Sequence, residues 1–312
     1  MISNLNRSRL IFCVLWLWTG GVGTVRGDGL LVHRALANDE APRSSALDAS
    51  RPPLSVVASV HPLALLAKEV GGEGVVVTTL IGEGIDPHDF EPTPSVLRSL
   101  VAADLVVLNG SGVDGWSRRA AVKGRVVVAE EVAATLAREQ GRDAPRTDAS
   151  LWLDPIVMAR VAGHIAEGLC ALEDEEQCEM VRARAREVAS RIVEISGQGL
   201  IARESPRRHI ISYHRVWGQL ASHLGLSEIG GFAECETKAR SWGLLRDARR
   251  VRDEEGTISL IVEPLHVSAP EVSKLADELG LRPVVVDSLG WRAVDYETFL
   301  TEAIQGLRGA SQ

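Results

Sequence analysis

Two successive sets of four short apolar runs, each followed by a helical pattern, constrain this chain more than any other feature. The first set is Val56 to Val60, Val75 to Ile81, Leu105 to Leu108 and Arg125 to Ala129; the second is His209 to Tyr213, Glu228 to Phe232, Ile258 to Val262 and Pro283 to Val286. The runs are continuous rather than alternating, as in strands whose two faces are both covered by helices. Helix signals stand between them. Pro62 opens a stretch in which Leu63, Leu66 and Val70 recur at helical spacing, and Gly71-Gly72 stops it. Thr93-Pro94 is an N-cap followed by a first-turn proline. The last stripe is Tyr296, Leu300, Ile304 and Leu307. The pattern predicts an α/β protein of two lobes, each with a mostly parallel four-stranded sheet flanked by helices.

A long helical stretch separates the two sets. Asp154-Pro155 opens a helix with the stripe Val157, Val161, Ile165 and Leu169. A second runs from about Glu175 to Leu200 with the stripe Val181, Ala185, Val188, Ile192 and Ile195, and reads as a strut joining the lobes. Arg182, Arg184, Arg186 and Arg191, on its other face, read as solvated surface. The expected divisions are a signal peptide over 1–37, a flexible linker over 38–53, an N-terminal lobe over 54–153, inter-lobe helices over 154–203 and a C-terminal lobe over 204–312.

The signal peptide rests on Arg7 and Arg9 ahead of the uncharged, mostly apolar run Leu10 to Val25. That run is shorter than the roughly 20 residues of a spanning helix and has the form of a secretory core. Ala35-Leu36-Ala37 has the small-x-small cleavage form, and Gly20 to Gly27 offers nearer sites; Phe12 just before Cys13 argues against a lipoprotein cysteine. The remainder is expected to be soluble and exported. Export permits disulfides. Cys170 and Cys178 flank the acidic turn Ala171 to Gln177 and are either bridged or two free thiols, with Cys235 left over. Their spacing is that of neither a zinc finger nor a thioredoxin-type motif.

Composition narrows the function. Of 312 residues, 45% are hydrophobic and 24% charged, which excludes disordered and collagen-like chains. Lys and Arg number 34 against 42 Asp and Glu, a net charge of -8, so the chain is no candidate for nucleic-acid or anionic-membrane binding.

In open parallel sheets, ligands bind beyond the carboxyl ends of the strands. The first set presents His61 there, then His88 with Asp86, Asp89 and Glu91, then Asn109, then Glu130. The second presents His214, then Glu234 and Glu236, then Glu263, then Asp287, with His266 placed to reach the same cleft. Imidazoles and carboxylates converging between two lobes make a nitrogen and oxygen site suited to zinc or another transition ion. His209, at the other end of its strand, and His164 and His223, within helices, read as structural.

The run Asp86-Pro87-His88-Asp89-Phe90-Glu91-Pro92-Thr93-Pro94-Ser95 strongly resembles the zinc- and manganese-specific metal receptors of bacterial ABC transporters. Ala103 to Gly110, Trp152-Leu153-Asp154-Pro155, Ser212-Tyr213-His214, Val262-Glu263-Pro264 and Val286 to Gly290 continue the likeness in order, over about Leu54 to Leu307. The resemblance implies two βα lobes joined by a long helix, and a metal held by four residues. By motif, His88 matches the first ligand, His214 the third and Asp287 the fourth. An imidazole at the third place is typical of the zinc receptors, so zinc is favoured over manganese. The second ligand, a His two residues before the Trp of Trp-Leu-Asp-Pro, is here Ser150. Three ligands plus water would complete a tetrahedral site, or His61, which ends a strand of the same lobe, could supply the missing imidazole, and Glu91 or Glu263 could add an oxygen. The resemblance implies a periplasmic or extracytoplasmic receptor, monomeric and without catalytic activity, whose partners are a divalent metal ion and an ABC transporter membrane permease. The alternatives are a metal-dependent hydrolase using the same cleft and a metal-free binding or adhesion relative. No Gly-x-Ser-x-Gly, His-Glu-x-x-His or Gly-x-x-x-x-Gly-Lys motif supports the hydrolase.

Overall fold

The structure is a computed structural model that describes residues 52–110, 112–119, 122, 124–143, 150–199, 208–231, 238–255 and 258–310. The expected signal peptide, Glu234, Cys235 and Glu236 lie outside the described residues. From residue 50 onward the chain forms one compact unit. Its first sheet contains β1 (Leu54–Ala58), β2 (Val75–Thr79), β3 (Leu105–Leu108) and β4 (Arg125–Val128); its second contains β5 (His209–Ser212), β6 (Ser227–Gly231), β7 (Ile258–Val262) and β8 (Pro283–Val285). All pairings are parallel, in the orders β2-β1-β3-β4 and β6-β5-β7-β8. Each sheet is thus wound the same way, outward on both sides from its first strand. The winding reverses between β1 and β3, and again between β5 and β7.

The central strands are apolar on both faces because both faces are packed. Val56, Ala58, Leu105 and Val107 join the main core, while Val57 and Val106 pack with Leu100 of α2 (Pro94–Ala102). In the second sheet Ile210 and Ile261 face the main core. Ile211, Leu260 and Val262 pack with Val272 and Leu275 of α8 (Pro270–Leu279) and with Leu245 and Ala248 of α7 (Lys238–Glu255). The expectation of two-sided burial fails at the edges. β2 alternates between partly buried and exposed residues, and Val76 and Val126 are open to solvent, because a strand at the rim has helices over only part of its surface.

The helices begin where the caps stand. Thr93 Oγ1 accepts from Val96 N at the start of α2, and Asp154 Oδ1 accepts from Ile156 N and Val157 N at the start of α4 (Pro155–Cys170). α1 (His61–Gly71) stops at Gly72, whose φ is 62°. α4 and α5 (Glu175–Gln198) form an antiparallel pair, and a Cys170–Cys178 disulfide closes the turn between them.

The arginines of α5 do more than meet solvent. Arg184 donates to Val70 O and Gly71 O, both at 2.9 Å, and so covers the open carbonyl end of α1. Arg191 lies 3.4 Å from Glu69 of α1 and 2.8 Å from Glu297 of α9 (Tyr296–Ala310). Arg182 pairs with Glu167 at 2.9 Å. A polar helix face looks solvated in sequence because helical periodicity does not say which neighbours come close. α9, though last in the chain, shares the main core with the first sheet. Tyr296, Phe299, Leu300, Ile304 and Leu307 are buried in it beside Val56, Leu66, Val161 and Val188. Among the described residues, no helix is long and apolar enough to cross a membrane.

Candidate metal centre

A cleft of about 420 Å³ opens at the carboxyl ends of the strands, lined from the first half of the chain by Glu83 to His88 and Trp152 and from the second by His214, Glu263 to His266, Asp287 to Leu289, Trp291 and Arg292, with a few apolar neighbours. The loop after β2 delivers two of these groups. Asp86 Oδ1 accepts from His88 N at 2.9 Å, an aspartate turn that fixes the Asp-Pro-His segment and aims both side chains the same way. His214 follows β5 and is buried, at 8% exposure. The His88 and His214 rings stand edge to face with centroids 5.0 Å apart. Ligand atoms of Asp86, His88 and His214 all lie within 4.8 Å of one another, and no other such group of three occurs among the described residues. Two imidazoles and a carboxylate are donors that suit a borderline-soft divalent ion.

The strand adjoining β5 adds a second pair of groups. Glu263 follows β7 and is buried; its Oε1 accepts from Trp217 Nε1 at 2.9 Å. Its Oε2 faces His266 Nδ1 at 3.7 Å, and His266 Nε2 stands 3.9 Å from Asp86 Oδ2. The Glu263 carboxylate beside Nδ1 raises the His266 pKa above the ordinary histidine value; Asp86 and Asp89 add to it, against burial. The His266 ring lies 5.9 Å from that of His214 and 5.2 Å from that of Tyr213.

The structure places the remaining sequence candidates as follows. Asp287 lines the cleft, and its two oxygens accept from Leu289 N and Trp291 N, each at 2.9 Å. This turn needs Gly290. Its φ is 61°, and a Cβ there would stand 2.4 Å from Phe299 Cδ2. His61 opens α1 and stacks on Trp291, centroids 4.5 Å apart and planes 14° from parallel. Trp291 lines the cleft, whereas His61 is not among the lining residues. Burial lowers the His61 pKa below the ordinary value, against the attraction of Asp287 and Glu83. Ser150 is buried, its Oγ has no hydrogen-bond partner, and it does not line the cleft. Glu91 also lies outside the lining.

A family model described as zinc-uptake complex component A, periplasmic, matches residues 56–310. The chain belongs to this ZnuA family. The family comprises metal solute-binding proteins of ABC transporters. The high-affinity zinc uptake system protein ZnuA of Bacillus subtilis is 22% identical over 255 residues, 76% of this chain and 78% of that one. The manganese-binding lipoprotein MntA of Halalkalibacterium halodurans is 30% identical over 101 residues, 32% of this chain and 34% of its own. A crystal structure of ZnuA shares the fold with a TM-score of 0.67 at 23% identity, covering 84% of this chain and all of that one. The laminin-binding adhesin Lmb of Streptococcus agalactiae, solved as a mutant, does so with a TM-score of 0.67 at 19% identity, covering 83% of this chain and all of the other. Sequence reading ranked His88 and His214 above Asp86 and His266. The Asp-x-His spacing of an aspartate turn, and a His three residues after Glu263, just past a strand, were the signals that would have raised those two.

Proposed function

We propose that this ZnuA-family chain is an extracytoplasmic receptor that captures a divalent transition metal, zinc in preference to manganese, and delivers it to an ABC permease. The convergence of Asp86, His88 and His214 within 4.8 Å carries this reading. Imidazole nitrogens favour zinc, whereas manganese is served better by carboxylate and water oxygens. Asp287 completes the proposed oxygen donors. Its backbone hydrogen bonds occupy one lone pair on each oxygen and leave another for a metal. Extracytoplasmic placement is supported by the word periplasmic in the family description and by lipoprotein relatives such as MntA. The relatives act as transport components, which supports a receptor and not a catalyst.

The test is metal binding by chelator-stripped mature protein. One equivalent of zinc is expected to bind in competition with a chromophoric chelator, with manganese at least roughly tenfold weaker, or about 1.4 kcal/mol. His88→Ala and His214→Ala should each weaken zinc by about a hundredfold, or about 2.7 kcal/mol. A wild-type protein that takes up neither ion would refute the proposal.

A further inference from the structure

We infer that His266, oriented by Glu263, is itself a metal ligand, so that a third imidazole joins His88 and His214 on the ion beside the carboxylates. The inference deepens the receptor reading above and rests on it. It gives the cleft a nitrogen donor from a position that the familiar ligand motif does not include.

Four observations lead to it. First, His214 follows β5 and His266 follows β7, and these two strands flank the point where the second sheet reverses its winding. A crevice opens at such a point in any sheet of this kind. Second, His266 is held as metal-binding histidines are held. A ligating imidazole turns its other ring N–H toward a carboxylate, which fixes the tautomer and the ring plane. Here His266 Nδ1 and Glu263 Oε2 are both buried, face each other at 3.7 Å, and have no other hydrogen-bond partner. Trp217 Nε1 pins the other Glu263 oxygen at 2.9 Å. Third, the free edge of the ring faces Asp86, one member of the cluster. Nε2 lies 3.9 Å from Asp86 Oδ2. Two donors on a tetrahedral zinc, with bonds of about 2.0–2.1 Å, stand about 3.3–3.4 Å apart. The pair must close by only about half an ångström to share an ion of that geometry. The turn Pro264–His266, with its His266 N to Glu263 O bond of 2.9 Å, sets the ring at this place.

Fourth, the other candidates for this donor do not line the cleft. Ser150 is buried away from the cleft lining and offers a hydroxyl, a weak zinc ligand. The His61 ring is stacked on Trp291 and stands outside the cleft lining, its Nε2 buried without a hydrogen-bond partner. Asp86 and His88 then come from one half of the chain, and His214, His266 and Asp287 from the other.

The experiment compares mature wild type with His266→Ala, Glu263→Gln, His61→Ala and, as control, His223→Ala, all first shown to unfold at the same temperature. Zinc affinity is measured by chelator competition, and the imidazole count by X-ray absorption of the zinc-loaded proteins. Wild type should show three imidazoles. His266→Ala should show two and bind zinc about thirty- to a hundredfold more weakly. Glu263→Gln should keep three and lose about tenfold, as expected of an orienting partner. His61→Ala and His223→Ala should bind as wild type does. Two imidazoles in wild type, or a His266→Ala affinity within twofold of it, overturns the assignment. A loss in His61→Ala with His266→Ala silent gives the place to His61. If wild type binds no metal, the receptor reading fails first; if it binds and His266→Ala is silent, only this inference fails.

Discussion

At the scale of single residues, Asp114 shows how a loop beside the first sheet is held. Its Oδ2 accepts from Asn109 N at 2.7 Å and its Oδ1 from Gly110 N at 2.8 Å, just after β3. Burial nevertheless raises its pKa to about 6, against those hydrogen bonds. Between an unfolded value of about 3.9 and that folded value, the native state holds a proton that the unfolded chain has lost. Stability contributed by this group is therefore complete below about pH 4 and falls as pH rises to about 6, by on the order of 3 kcal/mol. Asp114→Asn removes that slope. Urea unfolding of both proteins from pH 4 to 7 should show the wild type losing ground relative to the variant as pH rises; a constant difference would show that the carboxyl is not shifted. Sequence alone marked none of this, because a lone aspartate in a loop carries no sign of its burial. His88 and His214 were legible, since each sits in a motif at a strand end. The Glu263–His266 pairing was only half legible, because it depends on how far a three-residue turn carries a side chain.

At the scale of elements, the α4–α5 hairpin is held by its disulfide. Closing a loop with a sequence separation of 8 restricts the unfolded chain by about 2–3 kcal/mol in the entropy model. Cys178→Ser should lower unfolding stability by about that amount and leave zinc affinity unchanged, since the bridge lies at the far end of both helices from the cleft-lining Trp152. Equilibrium denaturation with and without reductant checks it; identical curves would mean that the bridge adds nothing. The strands were readable to within a residue or two, because continuous Val, Ile and Leu runs have few other uses. Edge exposure was not, since position in a sheet is a property of neighbours. For the same reason Arg184 and Arg191 passed for surface charges, although one covers the end of α1 and the other links α1 to α9.

At the scale of the molecule, the two sheets are joined by more than the helical pair. Trp152 Nε1 donates to Ser288 O at 2.7 Å, Tyr296 Oη donates to Trp152 O at 2.8 Å, and Tyr296 N donates to Glu69 Oε1 at 2.5 Å. With α9 these bonds tie the end of the chain to its first lobe. Phe299, Leu300, Ile304 and Leu307 are almost wholly buried, and such side chains stabilise by roughly 1.5–3 kcal/mol each. Their sum rivals the whole stability of an ordinary domain. Deleting residues 295–312 should therefore unfold both halves, seen as loss of cooperative melting and of protease resistance in the first half as well as the second. A first half that remained protease-resistant would show its core to be self-sufficient.

The placement of α9 also bears on timing. Contacts between residues near positions 60 and 300 span almost the full described chain, and such long-range closure slows folding. While the chain is being made from its amino end, the first lobe has its strands before it has the helix that covers them. Until residues 296–310 are made, the first lobe lacks the helix that covers its core.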